Sequence, residues 1–273
     1  MDKRFLIIGF ILMLLTIGFS GCLGAISTEY FNEEYEVNEN TVLKVTTING
    51  QIEIIGWDED KLKVDAVKKS NFGREELDFI EIDVEESDFL ININVIYTGD
   101  RVSKPSVDMN IKVPEYVLID RVTTSNGAIQ ISDTSGDLRA HTSNGGIFID
   151  NVDGYVKAST SNGRIEIKDT KGIMDLTSSN LGIEADIFNF KGDLGKDIEI
   201  STSNGGITLY INSSLDADLD ISTSNGFISI DDDLDLILSL SKEKEKIGQL
   251  GDGGNKIDIH TSNGNIKIHK LDI

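Results

Sequence analysis

One cysteine, one tryptophan and 25 basic side chains against 47 acidic ones mark this 273-residue sequence by what it has little of. A lone Cys rules out a disulfide framework. A formal charge of −22 repels nucleic-acid phosphates and anionic lipid headgroups, which need clustered Lys and Arg, so no nucleic-acid partner is expected. Aromatic residues make up 7% of the chain, so aliphatic packing must hold it together. The one long apolar run, Phe5 to Ile17, falls short of the roughly 18 to 20 residues that a membrane-spanning helix needs. What is present is a 39% hydrophobic content and 26 glycines, enough for a large ordered core in one or two domains.

The N-terminus has the order of a secretory signal: Lys3 and Arg4, the apolar run, then the small residues Ser20 and Gly21 before Cys22. Phe19-Ser20-Gly21-Cys22 resembles the lipobox of prokaryotic lipoproteins, in which the signal is cut before the Cys and the thiol carries lipid. This predicts a signal peptide over 1–21, a lipid-anchored polar tether over 22–40 that ends in the acidic stretch Glu29 to Glu39, and a body on the external face of the membrane. The membrane is then a partner through the anchor at Cys22.

Residues 41–273 are built on a repeat. Thr-Ser-Asn-Gly recurs six times, and two degenerate copies, Thr47-Ile48-Asn49-Gly50 and Ser178-Ser179-Asn180-Leu181, complete the set. The Asn residues are Asn49, Asn126, Asn144, Asn162, Asn180, Asn204, Asn225 and Asn263, at successive spacings of 77, 18, 18, 18, 24, 21 and 38. Apolar residues stand four before each Asn, from Val45 to Ile259, and three and five after it, from Ile52 and Ile54 to Ile266 and Ile268. Six before it, Met174 and Ile198 fit the same inward column, while Asp120 breaks it. A period of two on both sides of the Asn is that of half-buried strands.

Each copy therefore reads as strand, Asn-Gly corner, strand, and a second corner near Gly136, Gly154 or Gly172. A tight Asn-Gly joint would ordinarily suggest an antiparallel hairpin. The constant 18-residue register favours an all-β, single-stranded β-solenoid of about eight coils, because it sets each Ile above the next at about 4.8 Å. The corner Gly is expected to supply a positive φ, and the Asn amide to hydrogen-bond the equivalent amide one coil away. Residues 56–114 lack the repeat but keep alternation, which predicts an antiparallel excursion that caps the N-terminal end. Residues 231–256 read as an inserted hairpin or loop.

The Thr-Ser-Asn-Gly-x-Ile-x-Ile pattern resembles the putative-adhesin repeat family of bacterial and archaeal envelope proteins. The resemblance spans Thr41 to Ile273 and implies a right-handed β-solenoid, an envelope or attachment role, and no catalytic residues. Leu181 in place of a corner Gly and the gap after Asn49 depart from the pattern.

His141 and His260 stand three before a repeat Asn, about 24 Å apart if the coils stack in chain order, too far to share an ion with His269. Asp216, Asp218, Asp220, Asp231, Asp232, Asp233 and Asp235 could take calcium, yet Gly251-Asp252-Gly253-Gly254-Asn255 occurs once where calcium-binding turns need adjacent copies. No cofactor and no metal are expected; solvated acidic loops are the default. Five before the Asn lies a column that runs from Arg121, Arg139 and Lys157 to Asp175, Glu199, Asp220 and Asp258. Stacked charges of this kind serve polysaccharide-active enzymes, a lyase or hydrolase, and that is the alternative to a non-enzymatic surface protein. The Ser before the Asn in seven of the eight copies makes a hydroxyl strip able to meet a cell-surface polymer or envelope protein, but has no His-Asp partner for nucleophilic catalysis. Asn212-Ser213-Ser214 is a glycosylation acceptor triplet.

Overall fold

The computed structural model describes residues 26–98, 105–189 and 197–271. The expected signal peptide and Cys22 lie outside the described residues. In chain order the strands begin with β1 (Ser27–Glu36), then β2 (Val42–Thr46) and β3 (Ile52–Trp57) around the first corner, and β4 (Lys61–Ser70). A 3₁₀ segment, Arg74–Phe79, leads to β5 (Ile80–Ser87), β6 (Leu90–Tyr97) and β7 (Ser106–Pro114). Strands then alternate across each Asn corner: β8 (Leu118–Thr124) and β9 (Ile129–Ser135), β10 (Leu138–Thr142) and β11 (Ile147–Asp153), β12 (Tyr155–Thr160) and β13 (Ile165–Lys168), β14 (Gly172–Ser178) and β15 (Ile183–Ile187). The pairs β16 (Ile198–Thr202) and β17 (Ile207–Ile211), and β18 (Ala217–Asn225) and β19 (Ile228–Ile230), continue the series. After the turn Asp232–Leu234 come the hairpin β20 (Ile237–Ser241) and β21 (Glu245–Leu250), then β22 (Asn255–Asn263) and β23 (Ile266–Lys270).

Two parallel ladders organise these strands into a nearly all-β, solenoid-like body. Strands that precede a corner stack in the order β6, β2, β8, β10, β12, β14, β16, β22, β18. Their partners beyond the corner stack as β7, β3, β9, β11, β13, β15, β17, β23, β19. The inner faces meet in one aliphatic core. Ile52, Ile129, Ile147, Ile165, Ile183, Ile207 and Ile266 form a single buried column, each residue on the next. Identical β-branched residues in register suit this stack, since each pleat receives the same shape from the rung below.

Stack order and chain order differ at both ends. The last coil, β22–β23, slots between β16–β17 and β18–β19, so Ile200 faces Ile259, which faces Ile221. At the other end, β6 and β7 lie outside β2 and β3. The expected excursion at 56–114 is therefore only partly antiparallel. β4 and β5 pair antiparallel with β7 and β6, but β6 and β7 themselves run parallel to β2 and β3 as a rung without the Asn motif. The expected tether is also corrected, because Ser27–Glu36 is a strand paired antiparallel with β4 along its length. Phe31, Tyr35 and Val37 pack against the core, and Glu29 meets Lys68 at 2.7 Å. Its many acidic residues mask that apolar edge.

Register shifts explain the irregular positions six before the Asn. Between Leu43 and Lys44 the pairing slips, so Ile119 takes the buried place and Asp120 stays outside. Between Val156 and Lys157 it slips again, which puts Ile173 opposite Val156 and makes Met174 the extra residue. Both are β-bulges that re-aim the chain at the cost of one unpaired residue.

The corner glycines work differently from the expectation. Positive φ occurs at Gly50 (123°) and Gly136 (115°), but not at Gly127, Gly145, Gly163, Gly205, Gly226 or Gly264. Those glycines are required by close approach: a Cβ on Gly145 would sit inside the carbonyl of Gly127, and one on Gly163 inside that of Gly145. The left-handed positions fall instead at the second corner, on Asp133 (φ 55°), Asn151 (51°) and Asp169 (47°), residue types that tolerate this region. They repeat every 18 residues, and Asn151 donates to Asp133 Oδ1 at 2.7 Å.

Candidate functional site

The most regular surface feature is the Asn edge. Asn126 donates to Asn49 Oδ1 at 2.7 Å, Asn144 to Asn126 at 2.8 Å, Asn162 to Asn144 at 2.8 Å and Asn180 to Asn162 at 2.7 Å. The line continues with Asn204 to Asn180 at 3.1 Å, Asn263 to Asn204 at 3.0 Å and Asn225 to Asn263 at 2.9 Å, following the stack order. Behind it the buried Thr column closes the same corner. Thr142 Oγ1 donates to the Gly127 carbonyl and Thr160 Oγ1 to that of Gly145, both at 2.9 Å, and Ser178 Oγ serves Gly163 at 3.0 Å. An amide ladder whose donors and acceptors are spent on its neighbours holds coils together and leaves little for a ligand.

The charged outward column is sorted by sign once the true order is used. Lys44, Arg121, Arg139 and Lys157 are followed by Asp175, Glu199, Asp258 and Asp220. Lys157 meets Asp175 at 2.5 Å where the signs change. The extra residue Asp120 sits beside the basic half and takes Arg139 at 2.7 Å and Lys44 at 3.5 Å. A depression of about 700 Å³ includes Lys44, Asp120, Asp137, Arg139 and Asp153, while Lys157 and Asp175 do not line it. Arg139 thus pairs with Asp120 and Lys157 with Asp175, and the three do not share that depression.

The remaining sequence candidates lie apart. His141 bonds Ser159 at 2.8 Å, and His260 bonds Ser222 at 3.1 Å, four ladder steps away, or roughly 19 Å. His269 contacts Asp231 at 3.1 Å and stacks on Tyr210 with ring centroids 5.3 Å apart. Asp216 and Asp218 accept from the backbone of Asp252 (2.8 Å) and Gly254 (3.3 Å), so the glycine-rich turn packs against these carboxylates. Among the described residues no three His, Cys, Asp or Glu gather as a metal site. Asn212 is half-buried; its amide donates to Phe188 O at 3.1 Å, and its carbonyl accepts from Ser214 N at 2.9 Å.

One surface element escaped sequence reasoning. On the outward face of the second ladder, Glu53, Gln130, Phe148 and Glu166 form one column, and Ile55, Ser132, Asp150 and Lys168 form the next. They line a groove of about 270 Å³. Phe148 is 38% exposed, and its ring leans over Gly146, where a Cβ would meet its edge. Lys168 bonds Glu166 at 2.6 Å, and this hydrogen bond holds the Glu166 carboxyl below its ordinary range. Further up the same face, burial pushes the Asp186 carboxyl up, reinforced by Asp169. The signal available in the sequence was Gly146-Ile147-Phe148, the copy that carries an aromatic where the others carry polar residues.

The repeat body matches the model of the Toastrack DUF4097 family over residues 121–269, and the chain belongs to that family. No curated protein matches the sequence. Among solved structures, the chain is similar to a "putative adhesin" of Bacteroides fragilis at 11% identity and a TM-score of 0.44, with 89% of this chain and 97% of that one covered. It is also similar to a "putative cell adhesion protein" of Clostridium sporogenes at 14% identity and a TM-score of 0.34, covering 89% and 100%.

Proposed function

We propose that the chain is a non-enzymatic lipoprotein of the external cell surface, held in the membrane through Cys22. Its right-handed solenoid, with eight motif-bearing coils, presents its faces to a cell-surface polymer or envelope protein in adhesion or envelope organisation. The observation that carries this reading is the way the outward ladders treat their charged groups. Arg139 is engaged by Asp120 and Lys157 by Asp175, rung against rung, which supports a presented surface more than the polysaccharide lyase or hydrolase that the same column could otherwise serve. The basic, apolar and small-residue order ahead of Cys22 supports the address.

The test is metabolic labelling with a radiolabelled lipid precursor, comparing the wild-type chain with Cys22→Ser, together with protease treatment of intact cells. Label on the wild type alone, and loss of the body to external protease, are the expected results. Label retained by Cys22→Ser, or a body shielded from protease, would refute the reading.

A further inference from the structure

Within that surface reading, the groove around Phe148 has the makings of a ligand site. Its two columns span four rungs, or about 14 Å along the stack at the strand spacing, and the rungs continue the columns at both ends. Phe148 supplies the aromatic face, with Gln130 and Glu166 directly on either side of it in the ladder. Gln130, Ser132 and Asp150 line the groove, and their side chains make no hydrogen bond or ion pair with the described residues. These three side chains set the site apart from the spent amides of the Asn edge and the paired charges of the basic column, while Glu166 is held in place by Lys168 and Glu53 by Asn110.

We infer that this groove binds an uncharged glycan chain lying along the solenoid axis, with a pyranose ring stacked on Phe148 and its hydroxyls met by Gln130, Ser132, Asp150 and Glu166. A pyranose offers an apolar C–H face and a rim of hydroxyls that both donate and accept. The groove offers an aromatic face within a rim of carboxylate, amide and hydroxyl groups, the mixture found in sites where a few placed polar groups fix orientation. Glu53, Asp150 and Glu166 outnumber Lys168, which disfavours uronates and phosphate-bearing polymers. A peptide strand is disfavoured as well, because every strand lining the groove is hydrogen-bonded on both sides and offers no edge to extend.

The experiment is calorimetric titration of the full chain in detergent with cellohexaose, chitohexaose and maltohexaose, and with an oligogalacturonate of equal length. At least one neutral hexaose binds with a Kd below about 1 mM, and the oligogalacturonate binds more weakly. Phe148→Ala weakens binding roughly tenfold or more, as expected for a central aromatic anchor, whereas Phe148→Tyr keeps it. Phe227→Ala, at an exposed aromatic outside the groove, leaves it unchanged. Absence of binding by all three neutral hexaoses, preference for the oligogalacturonate, or equal binding by folded Phe148→Ala would overturn the inference. Protease accessibility on intact cells is read separately, so a surface protein that binds no glycan sinks this site and leaves the surface reading standing.

Discussion

Replacing Thr142 by Val tests whether the repeat Thr is kept for its hydroxyl or only for its shape. Thr142 is fully buried, and its Oγ1 lies 2.9 Å from the Gly127 carbonyl oxygen of the coil below. Valine fills nearly the same volume, so the substitution deletes the donor and leaves that carbonyl against a methyl group. An unsatisfied buried acceptor costs about 1–3 kcal/mol. Thr142→Ser keeps the donor and removes one buried methyl, a loss of roughly 1 kcal/mol once the small cavity is included. The order of stability is then wild type, Ser, Val. The assay is guanidinium unfolding followed by circular dichroism, with amide hydrogen exchange at Asn144 and Ile147 as a local readout, because repeat arrays can open coil by coil. The equivalent bonds of Thr124, Thr160, Thr202, Thr223 and Thr261 to carbonyls one coil away make the result general to the stack. A Val variant as stable as the wild type would refute the reasoning and leave the Thr as a packing residue only.

The corner glycines and one half-buried carboxyl give two further expectations. Gly145→Ala should destabilise by about 1–3 kcal/mol or more through overpacking, because its Cβ would lie in the Gly127 carbonyl although its φ is not positive; a midpoint in guanidinium equal to the wild type would contradict this. The Asp186 carboxyl is raised first by burial and then by Asp169, so the native state holds its proton more tightly than the unfolded chain. Its contribution is fully favourable below the ordinary Asp pKa and is lost as pH rises through the raised folded value. Asp186→Asn should therefore raise the thermal midpoint at neutral pH and confer no gain in acid; a gain independent of pH would count against the assignment.

Much of the ladder architecture was legible because the repeat carries its own register. A period of two around each Asn identifies inward residues, and a constant 18-residue step places Ile129, Ile147 and Ile165 one above another from sequence alone. What the pattern could not carry is contact between segments remote in the chain. Nothing local in Ile257 or Ile259 says that they face Ile198 and Ile200 on one side and Leu219 and Ile221 on the other, because every coil has the same apolar outline. Likewise Ser27–Glu36 reads as solvated by composition, and becomes a strand only because β4 offers it an edge. Only Gly50 among the Asn-corner glycines has the positive φ that a local preference predicts; at Gly127, Gly145 and Gly163 the requirement is close approach to a carbonyl, which depends on the next coil. The Phe148 groove was missed because its lining residues come from four coils, and only the stack makes them neighbours.

The interleaved ends answer a difficulty that near-identical coils create. Where rungs share one outline, a slip of one whole coil keeps every Ile on an Ile and every Asn on an Asn, so the uniform middle cannot define its own register. Specificity must come from features that a slip would violate. Here these are the antiparallel strands β4 and β5 at one end, the hairpin β20–β21 against β18 at the other, and the slot between β16 and β18 that only β22 fills. Moving β14 by one coil would also break its bulge opposite Val156, and moving β8 would take Asp120 away from Lys44 and Arg139. The irregular residues are therefore what make the regular ones unambiguous: the repeat supplies cohesion, and its interruptions supply a single register.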